Sequence, residues 1–226
     1  VSRLGELTTT DVGKAAAPIL LVPIGSCEQH GPHLPLDTDT RIAVAVCDRV
    51  AARLRGVFVG PAVGVGASGE HAGFPGTLSI GTEALTELIV ELVRSADRFH
   101  GVLLVNGHGG NATALTAAAA RCESEGRRLS VHHITFPGGD AHAGRTETSI
   151  MLALSPELVR RERAVTGETT PVGQLMPRLR RDGVSAVSPS GILGDPTGAS
   201  AEEGHSLLGR AADEAVAATG LLAASE

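Results

Sequence analysis

Four short apolar runs constrain this chain more than any other feature. PILLVPIG (18–25) and GVLLVNG (101–107) are apolar at successive positions, whereas a strand with one wet face would alternate. GVFVG (56–60) and RLSVHHITF (128–136) read as two further strands. Helical periods lie between them. Ala43, Val46, Cys47, Val50, Ala51 and Leu54 form one, and Leu85, Leu88, Ile89, Leu92, Val93 and Ala96 a second. The alanine-rich stretch 111–126 forms a third, closed by Gly126 as a C-terminal cap. Buried strands alternating with helices predict an α/β fold, a single domain over residues 1–226, built as a layered α/β/α sandwich around a mostly parallel sheet. Residues 161–198 are polar, Gly-rich and Pro-bearing and are expected to be loops around a short helix. Ser200 and Glu203 form an S-x-x-E capping box that opens a final helix to about residue 222.

Charge and composition exclude several function classes. A formal net charge of −6 leaves no basic footprint for nucleic acid. The sequence has no run of the roughly 18 apolar residues that a membrane span needs. The N-terminal VSRLGELTTTDVGK lacks the apolar core of a signal peptide, and the three cysteines form no C-x-x-C pair. A cytoplasmic protein with no membrane partner is expected. With no Trp or Tyr and four Phe, an aromatic cage around a ligand would have to draw on Phe58, Phe74, Phe99 or Phe136.

Ligands of open α/β sheets bind at the carboxyl ends of strands. Three polar clusters fall there: EQHGPHLPLDTDT after the first strand, NGHGGN after the third and HAGRTETS after the fourth. Glu28 and His30 are two apart, so an extended chain points both to one side, and Asp39 at the start of the next helix can turn back toward them. Glu, His and Asp together suit Zn²⁺, Mn²⁺ or Fe²⁺. Asp37 reads as a helix N-cap, Asn111 as the cap of the third helix and Thr146 as the cap of a helix carrying Glu147. His108 sits among glycines that let backbone approach a ligand. His142 and Glu147 bracket a turn, and Glu147 on its own would be a first-turn carboxylate facing the helix dipole. His71 lies in a loop that could touch substrate. His100, His132, His133 and His205 read as structural, and Cys27 has no partnered base. GVGASG (64–69) matches the dinucleotide fingerprint G-x-G-x-x-G, but EHAGFPGTLS follows it where a helix should, so an oxidoreductase reading is set aside.

VPIGSCEQHGPHLPLDTDT, HAGFPGTLSI, VNGHGGN, HAGRTETS and GILGDPTGASAEEG together resemble the creatininase family of metal-dependent amidohydrolases, from about residue 20 to 205. The resemblance implies two divalent metal ions per subunit (Zn, Fe or Mn) bridged by an aspartate. Glu28, Asp39 and His108 would hold one ion, and His30 and Asp39 the other. Creatininase adds a glutamate two residues after the motif histidine. That position is Gly110 here, and Glu147 is the natural substitute. Many members carry an acidic residue where this chain has Arg145. The implied chemistry is amide hydrolysis by water activated between the ions, with His142 supplying the leaving nitrogen's proton and Asp37 and Asn106 orienting ligands. A homo-oligomer, commonly a hexamer, is implied too.

The creatininase pocket relies on tryptophans, which counts against creatinine in a chain without Trp. A peptidase branch that trims a modified precursor peptide near its C-terminus fits better, with Arg145 or an arginine of 160–181 pairing a peptide carboxylate. Hydrolysis of a small cyclic amide or formamide is the alternative. A non-catalytic, metal-stabilised binding protein is the other class, and it would need a closed ligand set without a water position.

Overall fold

The computed structural model describes residues 1–224. Its sheet has β1 (Ile19–Ile24) beside both β2 (Val57–Val59) and β3 (Gly101–Asn106), with β4 (Leu129–His133) outside β3. The order is β2-β1-β3-β4 and every pairing is parallel. The helices are α1 (Thr9–Gly13), α2 (Thr38–Arg53), α3 (Gly81–Arg94), α4 (Ala112–Ser124), α5 (Arg145–Leu154), α6 (Val172–Asp182), α7 (Val184–Val187) and α8 (Ala201–Ala224).

The unbroken apolar runs are explained by helices on both faces of the sheet. Ile19, Leu21, Leu103 and Val105 pack against Val46 and Val50 of α2, Ile150 of α5 and Leu208 of α8. Leu20, Val22, Val102 and Leu104 pack the other way, on Leu85 and Ile89 of α3 and Leu115 of α4. Each such side chain, fully buried, contributes about 1.5–3 kcal/mol. Three layers result, as the sequence pattern predicts.

Residues 161–198 are more helical than their composition suggests. α6 runs through Pro177 and buries Leu175 and Leu179, one turn apart, against Val184, Val187 and Leu193. Prolines at 171 and 177 read as breakers, yet the first precedes the helix and tertiary packing carries the second. The capping box at α8 forms by half. Glu203 N–H donates to Ser200 Oγ (3.2 Å), but the Glu203 carboxylate accepts from Arg145 and Ser149 instead of closing the box. The fourth strand ends at His133, three residues short of the apolar run.

Candidate metal centre

β1 and β3 run out side by side, Ile24 opposite Asn106, and Gly107 N–H donates to Ile24 O at 2.8 Å. From β1 the chain order proceeds to β2 on one side and to β3 on the other. This is the switch point at which open sheets leave a crevice. The first turn of α2 presses onto it. A Cβ on Gly107 would lie 2.6 Å from the Asp39 carbonyl oxygen, and one on Gly25 would collide with the Thr40 backbone, so both approaches require glycine. Asp39 is thereby seated directly over the ends of β1 and β3.

Asp39 divides its two oxygens between two histidines. Oδ1 lies 3.0 Å from His30 Nε2, and Oδ2 lies 3.2 Å from His108 Nδ1. The far nitrogen of each ring is already committed to a backbone carbonyl: His30 Nδ1 to Glu28 O (3.1 Å) and His108 Nε2 to Ala67 O (3.2 Å). A carbonyl only accepts, so those nitrogens carry the hydrogens and a neutral ring turns its lone pair to Asp39. Histidines that hold metal are arranged this way. Ser26 Oγ donates to Asp39 Oδ2 at 2.8 Å and fixes the carboxylate.

Glu28 is fully buried, and neither of its oxygens makes a hydrogen bond of proper geometry. Its oxygens lie 3.1 Å from His108 Nε2 and 3.3 Å from His71 Nε2, off the N–H directions. A buried carboxylate without a donor is strongly unfavourable, and a cation placed among these groups removes the deficit. Three donor triads have atoms close enough to share one: Glu28, Asp39 and His108; His30, Asp39 and Glu147; and Glu28, His30 and His142. The donors thus fit a divalent ion by chemistry and by spacing.

Glu147 reaches the cluster from the first turn of α5, with Oε2 3.8 Å from His30 Nε2. The same oxygen accepts from Ala143 N–H at 2.6 Å. Ala143 is buried with φ 53°, a left-handed conformation that costs about 1–3 kcal/mol and turns the chain between His142 and Glu147. His142 lies against His30 and His71, ring centroids 4.4 and 4.7 Å apart, with Nδ1 4.0 Å from Glu28 Oε1.

Burial and charge pull these groups in opposite directions. Burial lowers His30, but Asp39 and then Glu147 outweigh it and hold the ring at about 10. His108 is raised in the same way, against burial, by Glu28 and Asp39. Burial would raise Glu28, but His108 takes it to about 2. Burial pushes Glu147 up to about 7. Burial, then the charge of His30, takes His142 down to about 3. In the absence of metal, protons on His30 and His108 balance the carboxylates, so an ion must displace protons to bind.

The structure brings Glu28, His30, Asp39, His108, His142 and Glu147 together, and His71 lies buried among them. Arg145 stands outside, exposed, with its guanidinium on Glu203 (2.8 Å). Asp37 precedes α2 but makes no cap hydrogen bond; its carboxylate takes Arg41 (2.8 Å), away from the site. Asn111 does not cap α4 by its side chain. It accepts from Ala67 N–H and donates to Gly25 O and Asn106 Oδ1, tying the three site loops together. Asn106 Nδ2 donates to His108 O (2.7 Å), which fits the orienting role expected of it. The N-terminus of α5 is served by Asp140, which accepts from Arg145 and Thr146 N–H, and not by Thr146 itself.

Two residues escape the sequence reading. Glu70 Oε1 lies 3.4 Å from His108 Nε2 and fills the space over Gly110, where a Cβ would collide with it and lie 2.6 Å from Ala67 O. Its only signal is adjacency to His71. Gln29 is buried with its amide against His71 and His142, and an uncharged side chain between two conspicuous ones gives no warning.

A family model described as creatinine amidohydrolase matches residues 5–219. A relative from Mycolicibacterium smegmatis, named mycofactocin precursor peptide peptidase, is 52% identical over 213 residues, covering 92% of this chain and 86% of its own. The crystal structure of a creatinine amidohydrolase (creatininase) superposes with a TM-score of 0.81 at 28% identity, covering 99% of this chain and 98% of its own. A zinc–zinc form of a creatininase mutant gives a TM-score of 0.80 at 28% identity, covering 96% and 97%.

Proposed function

The chain belongs to the creatininase family and is a hydrolase of amide bonds, and from that premise we propose that it is a metallopeptidase that cuts the modified mycofactocin precursor peptide near its C-terminus. The observation that carries the metal chemistry is the division of Asp39 between His30 and His108 beside an unpartnered Glu28. Glu28, Asp39 and His108 would hold one divalent ion, and His30, Asp39 and Glu147 a second, so Glu147 takes the part of the carboxylate that Gly110 cannot supply. Zn, Mn or Fe suits this donor set. Bound there, divalent ions supply Lewis acidity toward the amide carbonyl and lower the pKa of water.

The chain's own residues supply position and protons. Asp39 fixes the spacing of the two donor sets, and Ser26 fixes Asp39. His142, neutral and buried above Glu28, takes a proton from the attacking water at Nδ1 and hands it to the leaving nitrogen. His71 and Arg145 are assigned to the substrate, His71 at the cluster and Arg145 at its exterior, where a peptide carboxylate would compete with Glu203 for the guanidinium. A homo-oligomer in the cytoplasm belongs to the same reading, and light scattering tests the assembly.

The substrate is tested by mass spectrometry of the pathway-modified precursor peptide incubated with metal-reconstituted protein. Loss of a C-terminal fragment, abolished by chelator, is expected. Intact peptide with Zn²⁺, Mn²⁺ and Fe²⁺ alike would overturn the peptidase reading. The fit to a creatininase structure would then favour the second reading, a small cyclic amide or formamide as substrate.

A further inference from the structure

The amide atoms of Gln29 can be assigned without ambiguity. Its Oε1 accepts from Gly31 N–H (2.8 Å), and its Nε2 donates to Gly191 O (3.1 Å). A backbone N–H can only give and a carbonyl can only take, so the amide cannot be flipped. One amide hydrogen remains, and two ring nitrogens lie within reach: His71 Nδ1 at 2.9 Å and His142 Nε2 at 3.0 Å.

The backbone of Gln29 decides between them. His142 Nε2 lies 2.9 Å from Gln29 O, a pure acceptor. With a hydrogen on that nitrogen, three bonds form: Gln29 to Gly191, Gln29 to His71, and His142 to Gln29 O. The opposite choice makes only two. It also sets His142 Nε2 against a carbonyl and a protonated His71 Nδ1 against the amide NH₂. Three satisfied bonds against two, among groups shut off from water, settle the arrangement.

We infer that Gln29 is a positioning residue that sets two neighbouring histidines in opposite roles. Its amide holds His71 as the Nε2–H tautomer, with that nitrogen 3.3 Å from Glu28 though off the line of a hydrogen bond. Its carbonyl holds His142 Nε2–H and leaves a bare Nδ1 on the ring, 4.0 Å from the same carboxylate. One ring therefore faces the centre as a donor and the other as an acceptor. His142 meets the reaction ready to take a proton, and His71 cannot compete for it.

The catalytic consequence rests on the amide-hydrolase reading, whereas the tautomers do not. Imidazole nitrogen NMR of the isotope-labelled, zinc-loaded protein reads them without any substrate. Both His71 and His142 are expected to carry hydrogen on Nε2. A hydrogen on His71 Nδ1, or a bare Nε2 on His142, overturns the inference whatever the activity. Gln29→Glu replaces the donor by an acceptor and is expected to move the His71 hydrogen to Nδ1. Gln29→Met removes both, and His71 is expected to lose its single tautomer while kcat falls by about 10- to 100-fold and KM stays within about twofold. A folded Gln29→Met protein with unchanged tautomers and kcat also overturns it. Should that variant fail to fold, the wild-type spectrum decides alone.

Discussion

On one side of Asp39, Glu28 and His108 come directly off the ends of adjacent strands; on the other, His30 meets a carboxylate delivered by α5 from far down the chain. The first side lies just beyond the last paired residues of the sheet, Ile24 and Asn106, with Glu28 and His108 buried. The second depends on a left-handed turn at Ala143 and on a carboxyl group whose pKa burial raises to about 7. The sheet thus fixes half of the centre, and a later helix completes it.

Asp39→Asn tests the shared element. On the two-ion assignment it removes a donor from both sides, so metal content measured by elemental mass spectrometry should fall to near zero and activity by about 10³-fold or more. Retention of one tightly held ion would show that the sides do not share Asp39. His108→Ala should lose metal and activity together, by about 10²- to 10³-fold, and retention of both refutes its place as a ligand. Glu147→Gln should be milder: one ion equivalent lost, with the strand-end side still loaded. Loss of both ions would mean that the side fed by α5 supports the other, the reverse of the division drawn above.

Without metal, the two sides should also differ in their response to pH. A carboxyl raised to about 7 from an ordinary 4.5 binds more protons in the folded than in the unfolded chain between those values. Its contribution to stability is therefore complete below about 4.5 and is lost as pH rises through 7, by roughly 3 kcal/mol. His30, raised to about 10, extends the decline upward from about 6.5. Buried histidines held low, such as His142, act in the opposite direction over this range, so the test is a difference. In thermal melts in chelator, wild-type stability relative to Glu147→Gln should fall as pH rises from about 4.5 to 7, and a constant difference would assign the titration elsewhere. The smallest effect is expected for Glu70→Gln. Removing this half-buried charge beside His108 should weaken metal affinity only several-fold, by titration calorimetry, and no change would leave Glu70 a bystander.

The division explains what the sequence disclosed. Glu28, His30 and His108 follow apolar strands closely, so strand periodicity and the carboxyl-end rule locate them together. Glu147 was legible as a carboxylate near His142, but its reach to His30 depends on the dihedral angles of Ala143, which no composition reveals. Caps were the weakest reading. Asp37, Asn111 and Thr146 have the right side chains at helix starts, yet each is claimed by something else: Arg41, the site loops, or Asp140's place at α5. α6 was obscured by prolines, and Gln29 and Glu70 by lacking any pattern of their own. Local chemistry names candidates, and tertiary contacts choose among them.

Gly107 carries a consequence of an evolutionary kind. Its partner in the close approach is the carbonyl oxygen of Asp39, part of the main chain and unable to swing aside as a flexible side chain would. Every single-base change of a glycine codon that alters the amino acid without stopping translation introduces a Cβ. No one-step replacement at Gly107 therefore leaves the first turn of α2 where it is, and drift here moves Asp39 rather than a loop. The centre is thus brittle to inheritance at a residue that has no side chain and needs no contact with substrate.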